Sequence, residues 1–225
     1  MSPKQRVGEA CLGHLRSGMV VGLGTGSTAE FFLQALASAI RSGQLADIRG
    51  VPTSRRSEQR AIHLGIPLTT LAEVNVIDLT IDGADEIAPG LALIKGQGGA
   101  LLREKIVAQN SRRMICIADA SKESPVLGMN SPLPVEVTQF GHEATARFLR
   151  SLGCEPLLRR TTDGSVFVTD NGNFIYDCRF GGIADPEALQ AKLQNRAGIV
   201  ETGLFLGIAS LALIADESGV RERTS

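Results

Sequence analysis

Four short β-branched runs, each separated from the next by a stretch with helical spacing, constrain this chain more than anything else in it. The runs are MVVGL (19–23), IRGV (48–51), VIDLTI (76–81) and MICIA (114–118). Residues 4–16 place Val7, Cys11 and Leu15 on one helical face, and residues 28–41 do the same with Phe32, Leu36 and Ile40. Residues 54–64 stop at Gly65, and residues 100–110 repeat Leu101, Leu102, Ile106 and Val107. Strands that alternate with helices pair in parallel, because the crossover returns each strand to the same direction. The expectation is an α/β fold built on a Rossmann-like, mostly parallel sheet covered on both faces.

The rhythm changes at ESPVLGMNSPLP (123–134), where three prolines, Gly128 and Asn130 predict a linker. Beyond it LPVEV (133–137) reads as strand and HEATARFLRSL (142–152) as helix. EPLLR (155–159), VFVT (166–169) and FIYDC (174–178) read as strands, with DNGN (170–173) as a tight turn. PEALQAKLQ (186–194) reads as helix and GIVETGLF (198–205) as strand. A β-α-β-β-α-β-like order predicts a second, smaller α+β domain of ferredoxin-like type. The tail ASLALIAD (209–216) reads as a buried strand that rejoins the first sheet. The expected domains are therefore 1–128 plus 206–225, and 129–205.

Composition narrows the function. A net charge of −1 gives no basic footprint for nucleic acid. The apolar runs are too short to span a bilayer. MSPKQRVGEACLGHL carries charges where a signal peptide needs its apolar core, so the expected location is cytoplasmic. Cys11, Cys116, Cys154 and Cys178 show no C-x-x-C spacing and read as buried free thiols, with no structural metal.

The first run breaks into glycines: VVGLGTGSTAEFF (20–32). A strand, then Gly24 and Gly26, then Ser27 and Thr28 opening a helix, is the context of an anion site. Free N–H groups and the helix dipole favour a phosphate there. Walker A is excluded because no Gly-Lys occurs in the chain. A dinucleotide fingerprint fits poorly. Ser27 or Ala29 takes the third glycine position, and the second run ends in Pro52, Thr53 and Ser54 rather than in a ribose-binding acid. A small phosphate ester fits better.

Three more loops carry charge. IDGADE (81–86) places Asp82, Asp85 and Glu86 beyond a strand, where a lysine, a polyol or a magnesium ion would offset their repulsion. ALIKGQGGALLREKIVA (92–108) delivers Lys95, then a glycine loop, then Glu104 one turn into a helix. ADASK (118–122) brings Asp119 and Lys122. The cradle, the acids, the lysine with its glutamate and the last lysine are all expected at strand C-termini of one α/β sheet. The segment PTSRRSEQR (52–60) suggests no role.

GTGST, DGADE, KG-x-GGA-LLREK and ADASK, in this order and spacing, resemble ribose-5-phosphate isomerase, type A, and VTDNGN and GLFLG are similar to that family too. The resemblance covers nearly the whole chain. It implies cofactor-free interconversion of ribose 5-phosphate and ribulose 5-phosphate through a cis-enediolate, in the non-oxidative pentose phosphate pathway. It implies Glu104 as the base, and Asp82, Asp85 and Lys95 around the sugar's oxygens. Which aspartate opens the ring stays open. Substrate contacts are implied at Lys4, at Thr25, Gly26, Ser27 and Thr28, at Asp82, Gly83, Ala84 and Asp85, at Lys95, Gly96, Gln97 and Gly98, and at Lys122. Gln97 departs from the glycine expected there and is taken to use its backbone. The implied partner is a small sugar phosphate and the implied assembly a homodimer or homotetramer. Two rivals remain. An amino-sugar-phosphate isomerase/deaminase would want a ring-opening histidine, and His63 and His142 read as helix or surface residues. A sensing domain could dispense with Glu104.

Overall fold

A computed structural model describes residues 1–224. Among them the helices are α1 (Pro3–Ala10), α2 (Ser27–Arg41), α3 (Arg55–Leu64), α4 (Leu101–Gln109), α5 (His142–Ser151) and α6 (Pro186–Gln194). The strands begin with β1 (Val20–Leu23), β2 (Arg49–Pro52), β3 (Leu79–Gly83), β4 (Glu86–Ile87), β5 (Leu93–Ile94) and β6 (Met114–Asp119). They continue with β7 (Leu133–Val137), β8 (Glu155–Leu158), β9 (Phe174–Arg179), β10 (Ile199–Thr202), β11 (Leu204–Phe205), β12 (Leu211–Ala215) and β13 (Val220–Thr224). The chain divides into two compact units. The first holds residues 1–84, 103–122 and 207 onward; the second holds 85–102 and 123–206.

In the first unit the described strands form a six-stranded sheet in the order β13-β12-β6-β3-β1-β2. All neighbours pair in parallel except β13, which closes one edge antiparallel to β12. Every residue of β1 and of β12 is buried, which is why these strands read as continuous apolar runs rather than as alternation. On α2, Phe32, Leu33 and Leu36 share one core with Val21, Leu23, Ile81, Ile115 and Ile117. Each such burial contributes about 1.5–3 kcal/mol, enough to hold the helix's first turn in register with the sheet. From β1 the chain steps to β2 on one side, then returns to β3 on the other. The β1/β3 gap is thus a switch point, where open α/β sheets leave a crevice beyond their strand ends.

The second unit carries an antiparallel sheet in the order β10-β7-β9-β8, with α5 after β7 and α6 after β9. This is the expected ferredoxin-like plan. A further sheet, β11-β5-β4, shares its core: Ile94 and Leu204 pack in one cluster with Leu133, Val135, Leu149 and Leu193.

Several expectations need correcting. The stretch 123–134 is no free linker. Leu127 is buried, and the buried Glu86 carboxylate accepts the N–H groups of Gly128 (2.9 Å) and Asn130 (3.2 Å), fixing it to the second unit. That unit also takes in 85–102, which the sequence reading assigned to the first. VFVT forms no named strand among the described residues; only Val166 bridges, to Arg160, while the Thr169 N–H closes the following turn on Asn173. GIVETGLF breaks at Gly203 into β10 and β11, which join different sheets. The first helix ends at Ala10 and continues as a 3₁₀ turn, Cys11–His14. The strand at Asp82 starts and ends later than expected, so Asp82 lies within β3 rather than on the loop after it. All four cysteines are buried and free, as read from the sequence.

Candidate active site

At the β1/β3 switch point of the first unit, Asp82 is fully buried. Its Oδ1 accepts the N–H of Thr25 (3.0 Å) and of Gly83 (2.7 Å), so the glycine loop is tied to the end of β3. Gly24 makes this approach possible: a Cβ there would lie 2.6 Å from the Asp82 Cα and Cγ. Gly26 is the N-cap of α2 at φ 114°, a region that L side chains rarely adopt. No side chain caps this helix, so the N–H groups of its first turn are left for an anion. Lys4 donates from Nζ to Ser27 Oγ at 2.8 Å and brings positive charge to the same turn. Thr28 is buried and Ser27 exposed.

Thr25 is held from behind. Its Oγ1 lies 2.8 Å from Thr53 Oγ1 and 2.7 Å from Ser54 Oγ, and Thr53 donates on to the Leu23 carbonyl at 2.9 Å. Sequence reasoning assigned Thr53 and Ser54 no role. The signal available was the S-x-x-S capping box by which Ser54 and Ser57 start α3. Arg56 and Arg60 of that helix line a recess with Gly24, Thr25, Gly26 and Glu30. Burial alone would raise the Glu30 carboxyl. The hydrogen bonds from Arg60 and Gln34 outweigh it and hold the group below its ordinary range.

Glu104 sits in the first turn of α4 and is 4% exposed. A helix that feeds a parallel strand runs against it, so the N-terminal turn of α4 lies at the C-terminal edge of the sheet, with the glycine loop and Asp82. The adjacent Lys105 is also buried. At the same edge Lys122 ends the 3₁₀ turn after β6, half-buried, and Asp119 accepts the Ser121 N–H at 3.1 Å. Ala84 is half-buried just past β3.

Asp85 and Lys95–Gly98 belong to the second unit, and Lys95 follows β5 of the three-stranded sheet, not a strand of the parallel sheet as expected. Lys95 is 2% exposed; its N–H bonds the Gly203 carbonyl (2.9 Å), and its Nζ lies 5.4 Å from the centre of the Phe205 ring. The loop turns on a Gly99 N–H to Gly96 carbonyl bond of 3.0 Å. Asp85 Oδ2 accepts the Gln97 N–H at 2.9 Å, while the Gln97 residue as a whole is exposed. The Gln97 backbone N–H is thus committed to Asp85. Arg159 and Asp177, which stand behind this loop, were missed. They are separated from it by more than sixty residues and carry no local motif.

Among the described residues, no group of three or more His, Cys, Asp or Glu side chains is placed to hold a metal ion. His63 and His142 lie on α3 and α5, and His142 Nδ1 pairs with the Tyr176 hydroxyl at 2.8 Å. No helix of the described residues is long and apolar enough to cross a membrane.

The model of the family "Ribose 5-phosphate isomerase A (phosphoriboisomerase A)" matches residues 49–219. The ribose-5-phosphate isomerase A of Roseiflexus sp. (strain RS-1) is 54% identical over 219 residues, covering 97% of this chain and 94% of that one. A solved ribose 5-phosphate isomerase from Plasmodium falciparum superposes with a TM-score of 0.95 at 40% identity, covering 99% of this chain and 97% of that one. A D-ribose-5-phosphate isomerase solved in complex with phospho-erythronic acid gives a TM-score of 0.96 at 35% identity over 99% and 97% of the two chains.

Proposed function

We propose, for a chain that belongs to the ribose 5-phosphate isomerase A family, one division of labour among these residues. The protein is an isomerase that interconverts ribose 5-phosphate and ribulose 5-phosphate. The phosphate docks on the open first turn of α2, where Gly26, Ser27 and Thr28 offer N–H and hydroxyl donors and Lys4 offers charge. This fixes the distance from the anion to the reacting carbons. A solved relative was obtained in complex with phospho-erythronic acid, a phosphorylated sugar acid, which supports a sugar phosphate as the class of ligand.

Glu104 takes the proton from C2 of the open aldose. The C–H electron pair moves into the C1–C2 bond, and the aldehyde oxygen becomes an oxyanion. The hydroxyl on C2 then gives up its proton and the oxygen on C1 gains one, leaving a cis-enediolate that Glu104 reprotonates at C1. A carbon acid beside an aldehyde is far weaker than a carboxylic acid, so the base alone does not suffice. Lys95 stabilises the developing oxyanion; a preorganised donor of this kind contributes about 3–4 kcal/mol. Asp82 or Asp85 serves ring opening and proton exchange between the two oxygens. Gly83, Ala84, Gly96, Gln97 and Gly98 shape the sugar's path with their backbone, and Lys122 adds a further contact. The working form is a homodimer or homotetramer in the cytoplasm.

The observation that carries this reading is a buried glutamate in the first turn of α4, at the sheet edge where α2 opens uncapped. Glu104→Gln removes the base and keeps the shape. We expect kcat with ribose 5-phosphate to fall by about 10²–10⁴-fold, while calorimetry still detects sugar-phosphate binding. Wild-type kcat in this variant would remove Glu104 from the chemistry.

A further inference from the structure

We propose that Arg159 is a positioning residue that fixes the backbone of the Lys95–Gly98 loop, an inference that rests on the reading of Lys95 as the oxyanion's partner. Arg159 follows β8, and its backbone is pinned on both sides: its N–H bonds the Ile175 carbonyl (2.8 Å), and its carbonyl accepts from Phe167 (3.0 Å). The side chain is 12% exposed and every nitrogen of its guanidinium is used. Nε and Nη2 fork onto Asp177, at 2.9 Å to Oδ2 and 2.5 Å to Oδ1. Nη1 donates to two successive loop carbonyls, Gly96 at 2.9 Å and Gln97 at 3.1 Å. The guanidinium carbon stands 5.8 Å from the centre of the Phe167 ring, and that ring closes on Gly99, where a Cβ would meet Cε1 at 2.7 Å.

These contacts define the loop's shape. In a trans peptide the C=O and N–H point in opposite directions. The Gly96–Gln97 peptide is therefore gripped at both ends, its C=O by Arg159 and its N–H by Asp85 at 2.9 Å. The next peptide has its C=O on the same guanidinium nitrogen, so the Gly98 N–H faces away from Arg159. Lys95 immediately precedes this gripped pair, and its own N–H is tied to the Gly203 carbonyl. A salt bridge with Asp177 alone would need no loop carbonyls; a fork that spends its third nitrogen on two of them couples β8 and β9 to the site. Lysine cannot copy this, because one ammonium on a flexible stem cannot fork onto Asp177 and reach both carbonyls.

The test is a kinetic split on the full chain. Arg159→Lys is expected to fold, with an unchanged far-UV spectrum, and to lose about 10–100-fold in kcat, the scale of a slightly misplaced catalytic group, with KM for ribose 5-phosphate within threefold. Asp177→Asn leaves the guanidinium but loosens its anchor, and is expected to lose less kcat with the same split. A folded Arg159→Lys with wild-type kcat overturns the proposal. Should Arg159→Lys not fold, Asp177→Asn decides: a selective loss of kcat supports positioning, and unchanged kinetics with a lowered melting temperature overturns it. Lys95→Ala in the same assay separates the two claims. Its retention of wild-type turnover would bring down the reading of Lys95. Its loss of turnover beside a fully active Arg159→Lys would bring down the role of Arg159 alone.

Discussion

A single methyl group at position 24 is enough to test how tightly the glycine loop is built. The Asp82 backbone occupies the space a side chain on Gly24 would need, and no rotamer change relieves a contact with Cα. We expect Gly24→Ala to push the loop off β3, loosen the Thr25–Asp82 bond and lower kcat/KM about 10²-fold, since displacement by an ångström costs that much. Wild-type kcat/KM for this variant would show that the contact is not needed. Residues of this kind were legible in the sequence because glycines next to Ser, Thr, Asp or Lys concentrate their signal in five or six positions. Thr53, Ser54 and Arg159 were not legible. The S-x-x-S capping box marks Ser54 as a helix start, but each of the three acts on a loop 28 to 63 positions away, and nothing local records that pairing.

Elements buried on both faces were legible for a physical reason: β1, β12 and all of β6 but its final Asp119 are buried, so they interrupt the polar background as continuous apolar runs. The two-residue strands β4, β5 and β11 are too short to show a period, and the three-stranded sheet they form went unseen. VFVT has the composition of a strand, yet its pairing stops after the Val166–Arg160 bridge and the Phe167 N–H to Arg159 carbonyl bond, because Thr169 closes a turn on Asn173. Between elements, α2 and α3 are joined by Glu30 and Arg60, with Nη2 to Oε1 at 2.6 Å. The folded carboxyl of Glu30 lies below its ordinary 4.5 despite the opposing effect of burial, through Arg60 and Gln34. Its contribution to stability is therefore present above pH 4.5 and is lost as pH falls through the folded value. The pair is about one-third exposed, so solvent screens it and the effect is small. We expect wild type to melt about 1–3 °C above Glu30→Gln at pH 7, and the gap to close as pH falls through the folded carboxyl's lowered value. A gap that persists or widens in acid would contradict this linkage.

Over the whole chain, the alternation of strand and helix specified the parallel sheet, and the change of rhythm after residue 123 specified the second plan. What it did not specify was the boundary. Residues 85–102 leave the first unit after β3 and rejoin it within the first turn of α4, an excursion that carries Asp85 and Lys95, and 123–128 go with them. Which residues belong to a unit depends on which surfaces bury each other, and a proline-rich stretch held by a buried Glu86 reads locally like a linker. The reaction was legible ahead of the unit boundary, because it is marked by a few short motifs while packing accepts many sequences.

Isotope tracing in deuterated water tests most directly whether Glu104 carries hydrogen between the two adjacent carbons. Ribose 5-phosphate is incubated with wild type and with Glu104→Gln at concentrations that saturate both, and deuterium at C1 of ribulose 5-phosphate is followed by NMR. We expect wild type to place deuterium at C1 as the proton held on Glu104 exchanges with solvent during the enediolate's lifetime, and Glu104→Gln to bind the sugar while labelling it at least a hundredfold more slowly. Labelled product from Glu104→Gln at the wild-type rate would contradict the mechanism.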